Sequence, residues 1–266
     1  MIALVPRLEP IQTILTYMPR TLFSRLRAML VLASALFLTS CSSSTDWGFP
    51  EGVSSVNDQS LSLWQGAWIA AGVVGVFTLI LILWPAVFHR GKKDGPEFPK
   101  QTQYNVPVEI AYTIIPFIIV AVLFYYTAQK ESVITEKTTT YAHEITVEGI
   151  QWSWQFGYPE AGPNAVVTGT PEQTPTLVVP LGERVRYTIT SNDVVHGFWI
   201  PAFMIQIQNL PGVTNHLEFT ANKLGEFPGR CNILCGRNHS QMLFKVKVVT
   251  PAEYDAYLET IKGGQA

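Results

Sequence analysis

The stretch Cys231-Asn-Ile-Leu-Cys235-Gly-Arg-Asn-His239-Ser-Gln-Met242 places two thiols, an imidazole and a thioether within twelve residues. Thiolate and thioether sulfur are soft ligands and imidazole is intermediate, so this set suits copper better than a hard cation. A second histidine, His196, lies upstream in Asp193-Val-Val-His196-Gly-Phe-Trp-Ile-Pro201. A single trigonal copper needs one Cys, two His and a weak axial Met. The additional thiol therefore favours two copper ions that share both sulfurs.

Two other interpretations fit the same spacing. A Cys2His2 zinc site would use four of these side chains and leave Met242 without a role. A disulfide between Cys231 and Cys235 would suit an oxidising compartment. The chain has three cysteines, too few for a disulfide framework. The spacing favours copper over both alternatives.

Two apolar stretches predict a membrane anchor. Only 14% of the residues are charged, compared with about 25% in soluble domains. Residues 62–88 contain no charged side chain and are long enough, as a helix, to cross the hydrocarbon core. Residues 106–128 form a second such stretch, interrupted by Glu109 alone. We therefore expect a transmembrane hairpin whose helices cover these two ranges.

The flanking charges predict the orientation of this hairpin. The connecting loop, residues 89–105, contains several basic side chains, whereas residues 41–61 contain no Lys or Arg. By the positive-inside rule the loop is cytoplasmic and both termini lie outside. Residues 41–61 are then an extracytoplasmic tether, and residues 129–140 a linker to an external domain. The net charge of −2 gives no reason to expect a nucleic-acid partner.

Residues 1–40 have the pattern of a secretory signal. Basic residues at 20, 25 and 27 precede an apolar run over 28–38. The ending Leu38-Thr-Ser-Cys41 resembles a bacterial lipobox, which implies cleavage before Cys41, lipidation of its sulfur and location in the bacterial cell membrane. An ordinary signal peptide, or a short anchor with an incidental cysteine, is the alternative. Met18 and Met29 are candidate translation starts besides Met1.

From residue 141 to residue 250 the hydrophobic pattern has a period of two. Short alternating runs are separated by Gly, Pro and Asn, as at 144–148, 184–190 and 243–249. This pattern predicts an all-β sandwich or barrel with antiparallel strands. Residues 158–175, rich in Gly, Pro and Thr, are expected to form a surface loop. In the tail, residues 251–266, a short helix is expected over 251–262.

Three motifs together resemble one family. They are Asp193-Val-x-His196, Gly229-x-Cys231-x3-Cys235-Gly-x2-His239-x2-Met242 and Gln151-Trp152-Ser-Trp154. The chain resembles subunit II of haem–copper cytochrome c oxidases, of the bacterial lipoprotein type, from about residue 20 to residue 250. The resemblance implies a cupredoxin-like Greek-key domain at 141–250 that holds the binuclear copper centre called CuA.

The resemblance also implies roles for individual residues. Cys231 and Cys235 would bridge two copper ions, and His196 and His239 would each bind one. Met242 would cap one side and the backbone carbonyl of Ile233 the other. Separately, Trp152 matches the tryptophan that receives electrons over the copper site. Glu109, which begins the second span, matches the glutamate that opens a proton pathway into subunit I. Without the resemblance, a core aromatic and a glutamate at the membrane interface would be the ordinary interpretations.

Two positions depart from the family pattern. Ile233 stands where the family usually has a glutamate that contributes to a magnesium site shared with subunit I. Because a hard cation needs oxygen ligands, we expect intact CuA but an absent or remodelled magnesium site. Gln208 stands where the family often has an acidic residue on the surface that meets soluble basic cytochrome c. Steering of that partner should be weaker, and a membrane-tethered cytochrome or a supercomplex becomes the expected donor.

The function that the resemblance implies is electron acceptance in a respiratory oxidase. Cytochrome c would reduce CuA, and the electron would pass to haem in subunit I, where oxygen becomes water and protons are pumped. The chain contains no Cys-x2-Cys-His haem motif, so it would act as a subunit and not catalyse alone. A metal-free quinol-oxidase-type subunit II and a membrane copper-binding lipoprotein are the competing interpretations.

Overall fold

A computed structural model describes residues 48–89 and 101–264 of this chain. The predicted signal peptide, Cys41 and the basic part of the 89–105 loop lie outside the described residues. The described part consists of two long helices followed by a β-sandwich domain and a short C-terminal helix. The predicted combination of an apolar two-helix hairpin with an all-β domain is therefore confirmed.

The two helices are α1 (Asn57–Phe88) and α2 (Val106–Ile134), and both are long and apolar enough to cross a membrane. Their apolar side chains are almost all exposed in the isolated chain, as expected for surfaces that face lipid or another subunit. Near the β-domain the helices are linked by Lys130, whose Nζ donates to Oε1 of Gln59 over 2.6 Å. Asn105 caps α2 with its side chain, which accepts from the amide of Val108.

Both helices extend beyond the apolar stretches that predict them. Helix α1 begins at Asn57, before residue 62, and α2 continues to Ile134, past residue 128. Apolar composition marks the part of a helix that suits lipid, whereas the backbone hydrogen bonds continue into polar flanking residues.

The described part of the predicted tether, residues 41–61, is hydrogen-bonded to the β-domain. The amide of Ser55 donates to the carbonyl of Thr220, and the amide of Asn222 donates to the carbonyl of Val53, each over 2.9 Å. Asn57 at the start of α1 is fully buried and donates from its side chain to the carbonyl of Ala202. Residues 53–57 thus belong to the β-domain and fix the position from which α1 starts.

In the described part of the chain, ten strands form two five-stranded sheets. The first sheet has the order β3-β2-β1-β5-β8 and the second β4-β10-β9-β6-β7. The strands are β1 (His143–Ile150), β2 (Ser153–Gly157), β3 (Val166–Thr168), β4 (Thr176–Pro180), β5 (Arg184–Ser191), β6 (His196–Ile200), β7 (Ile205–Asn209), β8 (Asn215–Thr220), β9 (Gly225–Cys231) and β10 (Leu243–Val249). Helix α3 (Pro251–Ile261) follows, opened by a capping box between Thr250 and Glu253.

Two details of the sheets differ from the sequence-based expectation. The pairs β1–β5 and β4–β10 are parallel, whereas the remaining pairs are antiparallel. Alternation of side chains reports burial of one face and is the same for both strand directions. The expected surface loop over 158–175 also contains strand β3 and a 3-10 turn at Pro159–Ala161. Both are too short to give a periodic signal.

The core lies between the sheets and is rich in aromatic rings. Trp154, Phe198 and Phe244 are fully or almost fully buried, and the rings of Phe198 and Phe244 stack with centroids 4.9 Å apart. The centroid of Trp154 lies 6.3 Å from that of His196. The rigid aromatic core thus extends directly to the end of the sandwich at which β6 begins and β9 ends.

A buried carboxylate holds the segment that joins α2 to the β-domain. Glu218 on β8 accepts hydrogen bonds from the backbone amide and hydroxyl of Thr138. It also forms ion pairs with Arg184 and Arg186, at 3.0 and 2.7 Å. Burial raises the pKa of Glu218, but these hydrogen bonds outweigh it and lower the pKa to about 2. The predicted linker, residues 129–140, is therefore helical as far as Ile134 and anchored at Thr138.

Candidate metal centre

The pairing of β6 with β9 brings His196 and Cys231 together. His196 is the first residue of β6 and Cys231 the last of β9, and these strands are antiparallel neighbours with Phe198 opposite Cys231. The amide of Asn232 continues the ladder by donating to the carbonyl of Gly197 over 3.2 Å. Two residues that are far apart in the sequence thus lie at one end of one sheet.

A closed loop between β9 and β10 supplies the other candidate ligands. The amide of Cys231 donates to the carbonyl of Met242 over 2.9 Å and joins the two ends of the loop. Within it, Gly236 has φ of +125°, a conformation that side-chain-bearing residues rarely adopt. A 3-10 turn at His239–Gln241 then leads back to Met242. The loop therefore folds its cysteines, histidine and methionine inward.

The sulfur and nitrogen atoms converge. The Sγ atoms of Cys231 and Cys235 are 3.8 Å apart, so both thiols are free and the disulfide alternative does not apply to this structure. Sγ of Cys235 lies 3.5 Å from Nδ1 of His239 and 3.7 Å from Sδ of Met242. One ring nitrogen of His196 and both cysteine sulfurs lie within 4.8 Å of one another. Cys231, Cys235, His196 and Met242 are all buried.

The carbonyl of Ile233 points into the same cluster. Its oxygen lies 3.2 Å from Sγ of Cys231. The Ile233 side chain is half-buried and packs near Gly197, where an added Cβ would approach its Cγ1 to 2.9 Å. Ile233 therefore directs its backbone oxygen toward the cluster, while its apolar side chain packs outside the cluster near Gly197.

His196 is oriented by a carboxylate. Its Nε2 lies 2.8 Å from Oδ1 of Asp193, while its Nδ1 is buried and has no hydrogen-bond partner among the described residues. Asp193 is itself held by the amides of Gln151 and Val194, at 2.7 and 2.6 Å. A buried nitrogen without a partner is costly in a finished fold. A bound metal would satisfy it, and the Asp193 carboxylate fixes the tautomer that leaves Nδ1 free.

The protonation tendencies of the cluster suit metal binding. Burial raises the pKa of the Cys231 thiol, but the neighbouring His196 ring and the backbone of Gly197 outweigh it and lower the pKa. Burial and the neighbouring Cys231 sulfur together raise the pKa of Cys235. Cys231 is thus the thiol that ionises more readily. Ionisation of Cys235 as well is unfavourable, because two negative charges would then share a buried site. A cation between the sulfurs would remove that repulsion.

Sequence reasoning missed three supporting residues. Asp193 and Gln151 belong to the motifs given above, but the motifs alone assign them no role. Nothing in the sequence pattern marks Gly149 as part of the site. An added Cβ at Gly149 would come within 2.8 Å of the His196 ring, so only glycine leaves room for the imidazole there. An aspartate three residues before a candidate histidine ligand is the signal that would have identified Asp193.

Comparison with known proteins identifies the family. The family described as cytochrome C oxidase subunit II, periplasmic domain, matches residues 143–249. A probable cytochrome c oxidase subunit 2 of Streptomyces avermitilis is 39% identical over 93% of this chain and 89% of its own length. This chain belongs to the cytochrome c oxidase subunit II family.

The chain is also similar to a second relative and to one solved periplasmic domain. Cytochrome c oxidase subunit 2 of Mycobacterium bovis is 34% identical and covers 87% of this chain and 80% of its own length. The crystal structure of the periplasmic domain of the Bradyrhizobium japonicum subunit II is 32% identical, with a TM-score of 0.44, and covers 47% of this chain and 97% of that one.

Membership in the subunit II family establishes the general biochemical role. The chain is a subunit of a haem–copper oxidase, an oxidoreductase, and its partners include subunit I and other oxidase subunits. The family implies copper at the cluster of His196 and the two cysteines. The apolar helices and the periplasmic family domain together make this a membrane protein with an extracytoplasmic, cupredoxin-like β-domain.

Trp152, predicted to receive electrons, lies directly against the metal loop. Its Nε1 donates to the carbonyl of Cys235 over 3.2 Å, and the side-chain amide of Gln151 donates to the same oxygen over 2.8 Å. Trp154, by contrast, is fully buried, and its Nε1 lies 3.5 Å from the carbonyl of Met242. The half-exposed Trp152 therefore connects the surface to the loop, whereas Trp154 supports the loop from the core.

Glu109, the predicted opening of a proton pathway, lies in the first turn of α2. Its Oε1 accepts from the backbone amide of Asn105 over 3.0 Å, so it helps to cap the helix. A carboxylate is also stabilised at this end by the helix dipole. Glu109 is far along the chain from the metal cluster and belongs to the opposite end of the helical hairpin.

Proposed function

We propose that this chain accepts electrons from a cytochrome c at a binuclear copper centre and passes them to haem in subunit I. Oxygen is reduced to water there, with proton pumping. The observation that carries the proposal is the convergence of two free thiols, two imidazoles, a thioether and the Ile233 carbonyl at one buried end of the β-sandwich.

The donor set fits two copper ions better than one zinc ion. His196, His239, Cys231 and Cys235 would hold the metals, with Met242 and the Ile233 carbonyl as the outer ligands. The buried position of the Met242 sulfur, 3.7 Å from Sγ of Cys235, has no purpose in a Cys2His2 zinc site. When bound, the copper pair takes up and releases one electron at a time.

The protein's own residues keep the site rigid and dry. The aromatic core beneath His196 excludes water, and the Cys231–Met242 backbone bond closes the loop. Asp193 orients the His196 ring, and its negative charge would compensate that of bound metals. Trp152 would pass the donor's electron to the copper centre through its hydrogen bond to the Cys235 carbonyl. A site whose atoms move little when its charge changes suits electron transfer, because little reorganisation is needed.

The decisive experiment compares two Cys→Ser variants of the assembled oxidase. We expect the wild-type oxidase and Cys41→Ser to show the optical and electron paramagnetic resonance signal of an electron shared by two coppers, with two coppers per subunit II. Cys231→Ser should lose that signal and cytochrome c oxidation together. Retention of both in Cys231→Ser, or one colourless metal in the wild type, would exclude the proposal.

The same variants separate the competing interpretations. A metal-free quinol-oxidase-type subunit would contain no copper in the wild type. A copper-binding lipoprotein would bind copper but not co-purify with a haem subunit. The proposed lipidation of Cys41 and cleavage before it predict that the mature wild-type chain begins at residue 41 and is heavier than the unmodified 41–266 chain by the mass of the lipid. A wild-type mass equal to that of the unmodified 41–266 chain would contradict lipidation.

The remaining assignments complete the proposal. The β-domain faces the outside of a bacterial inner membrane, with a multi-pass anchor formed by α1 and α2. Glu109 opens a proton pathway into subunit I, in addition to capping α2. Its replacement by Gln in the oxidase should lower turnover without changing the copper signal. Normal turnover and proton pumping in that variant would leave only the capping role.

A further inference from the structure

Exposed apolar side chains of the β-domain gather at the metal end. Among described residues 141–264, the large apolar side chains with high exposure are Val194, Val213, Leu224, Leu234 and Leu243. Val194 precedes His196, Leu234 lies in the metal loop and Leu243 follows it. Val213 lies in the turn after β7, whose last residue, Asn209, pairs with His196. Leu234, inside the loop, is 80% exposed, the highest value of the five. Exposed apolar groups concentrated in this way indicate a surface that another molecule covers.

These groups flank the residues that form the metal cluster and its contacts with Trp152. Leu234 precedes Cys235, whose carbonyl accepts from the Trp152 ring. Val194 follows Asp193, which binds the amide of Gln151 next to Trp152. Leu243 lies opposite Arg230 in the β9–β10 ladder, one residue beyond Met242. We call the surface formed by Trp152, Val194, Leu234, Leu243, Arg230 and Arg237 the docking face.

The exposed charges of the docking face are positive. Arg230 and Arg237 are both exposed, and Arg237 follows Gly236, whose added Cβ would touch the Trp152 ring at 3.0 Å. In the described segments 150–153, 191–196, 209–215 and 230–243, Asp193 is the one acidic residue. Both of its oxygens are engaged internally, with His196, Val194 and Gln151. Glu172 lies outside these segments, on the loop from β3 to β4.

We propose that the docking face binds an electron donor whose own surface is apolar and carries carboxylates opposite Arg230 and Arg237. This proposal rests on the proposed function and specifies its partner. A donor with a lysine-rich face would meet two arginines and an already satisfied aspartate, so long-range charge would oppose its approach. An acidic donor would be attracted at long range and then held by contact with Leu234 and Val194 beside Trp152.

The test uses the assembled oxidase and two soluble cytochromes c, one acidic and one lysine-rich. The measured quantity is the ratio of the two kcat/KM values for oxidation, acidic over basic, at low and high salt. We expect a ratio above one at low salt that falls toward one as salt screens the charges. Arg237→Glu and Arg230→Glu should each lower the low-salt ratio, on the order of tenfold. Lys262→Glu, the same charge reversal at the end of α3, should leave it unchanged.

A neutral variant tests the apolar part. Leu234→Ser should raise KM for both cytochromes by a similar factor, on the order of tenfold, because it removes a contact that does not depend on charge. The copper signal of every variant is recorded, so that a damaged centre is recognised. Using a ratio of two donors cancels any change in later electron transfer.

Several outcomes would overturn the proposal. One is a ratio below one for the wild type at low salt. Another is an unchanged ratio in both arginine variants. Failure of either arginine variant to assemble with the haem subunit would show that subunit I covers the face. These results leave the proposed function intact, whereas absence of the two-copper signal or of oxidation of both donors in the wild type would refute that function itself.

Discussion

The Nε2 atom of His196 lies 2.8 Å from Oδ1 of Asp193, while the Nδ1 atom of the same ring is buried without a hydrogen-bond partner among the described residues. One nitrogen of the imidazole is thus occupied and the other is presented to the cysteine sulfurs. Carboxylates in this position fix the tautomer of a metal-binding histidine and increase its basicity.

Replacing Asp193 by Asn should weaken copper binding. The variant keeps the shape of the side chain but loses the negative charge beside His196, and we expect copper affinity to fall about tenfold. Competition with a copper chelator, followed by the two-copper absorption, measures the change. Glu172→Gln neutralises an exposed carboxylate on the β3–β4 loop and should match the wild type. Equal affinities in Asp193→Asn and the wild type would mean that Asp193 does not support the ligand.

Gly149→Ala should disturb the centre without unfolding the domain. The added Cβ would lie 2.8 Å from Cδ2 of His196, so the ring must shift. We expect altered copper spectra and slower cytochrome c oxidation. Gly182→Ala is the control, because φ of +76° makes it strained but nothing lies within 4 Å of the new Cβ. That variant should lower thermal stability and keep the spectra; identical spectra for both variants would contradict the prediction.

Glu218→Gln should destabilise the junction between α2 and the β-domain. It removes the charge that pairs with Arg184 and Arg186 from a side chain with no exposed area. We expect a loss of about 3 kcal/mol, or a fall of Tm by roughly 10 °C or more, measured by thermal unfolding of the full chain in detergent. Glu226→Gln, which removes an exposed pair with Lys245, should cost under about 1 kcal/mol. Equal Tm values for the two variants would exclude a structural role for the Glu218 cluster.

The effect of Glu218 should also depend on pH in a defined direction. Its folded-state pKa of about 2 is below the ordinary value of 4.5. A depressed pKa contributes stability that is fully present above the unfolded value and is lost as pH falls through the folded value. The difference in Tm between the wild type and Glu218→Gln should therefore shrink between pH 4.5 and pH 2. A difference that stays constant over that window would place its cause elsewhere.

Trp152 and Trp154 should respond differently to replacement by Phe. Trp152→Phe removes the ring that bonds to the Cys235 carbonyl at the surface, so we expect much slower oxidation of cytochrome c with an intact copper signal. Trp154→Phe leaves a cavity in the core and should lower Tm, because the lost contacts are buried. Stopped-flow oxidation and thermal unfolding separate the two effects. Normal oxidation rates in Trp152→Phe would remove it from the electron pathway.

Position 233 should determine the magnesium content of the oxidase. With Ile233 the chain offers no side-chain oxygen there, and we expect less than one non-exchangeable magnesium per assembled oxidase at the contact with subunit I. Ile233→Glu should increase that content and keep the copper signal, because the proposed copper centre would use only the backbone carbonyl of this position. Stoichiometric magnesium ligated at this junction in the wild type would contradict the expectation.

The sequence by itself determined the chemistry and the general architecture. Ligand types and spacing in the Cys231–Met242 loop, the uncharged stretch at 62–88 and the period-two pattern of strands such as Arg184–Ser191 are local properties, and local pattern reports them directly. The disulfide alternative stayed open at that level, because spacing does not reveal how far apart two sulfurs lie.

Only the tertiary structure decided which distant residues meet. The β6–β9 pairing places His196 beside Cys231, Gly149 leaves room for the imidazole, and Asp193 turns its free nitrogen toward the thiols. The attachment of residues 53–57 and of Thr138 to the β-domain likewise depends on Thr220 and Glu218, far along the chain. Such contacts arise from strand order and packing, which a one-dimensional pattern of hydrophobicity does not encode.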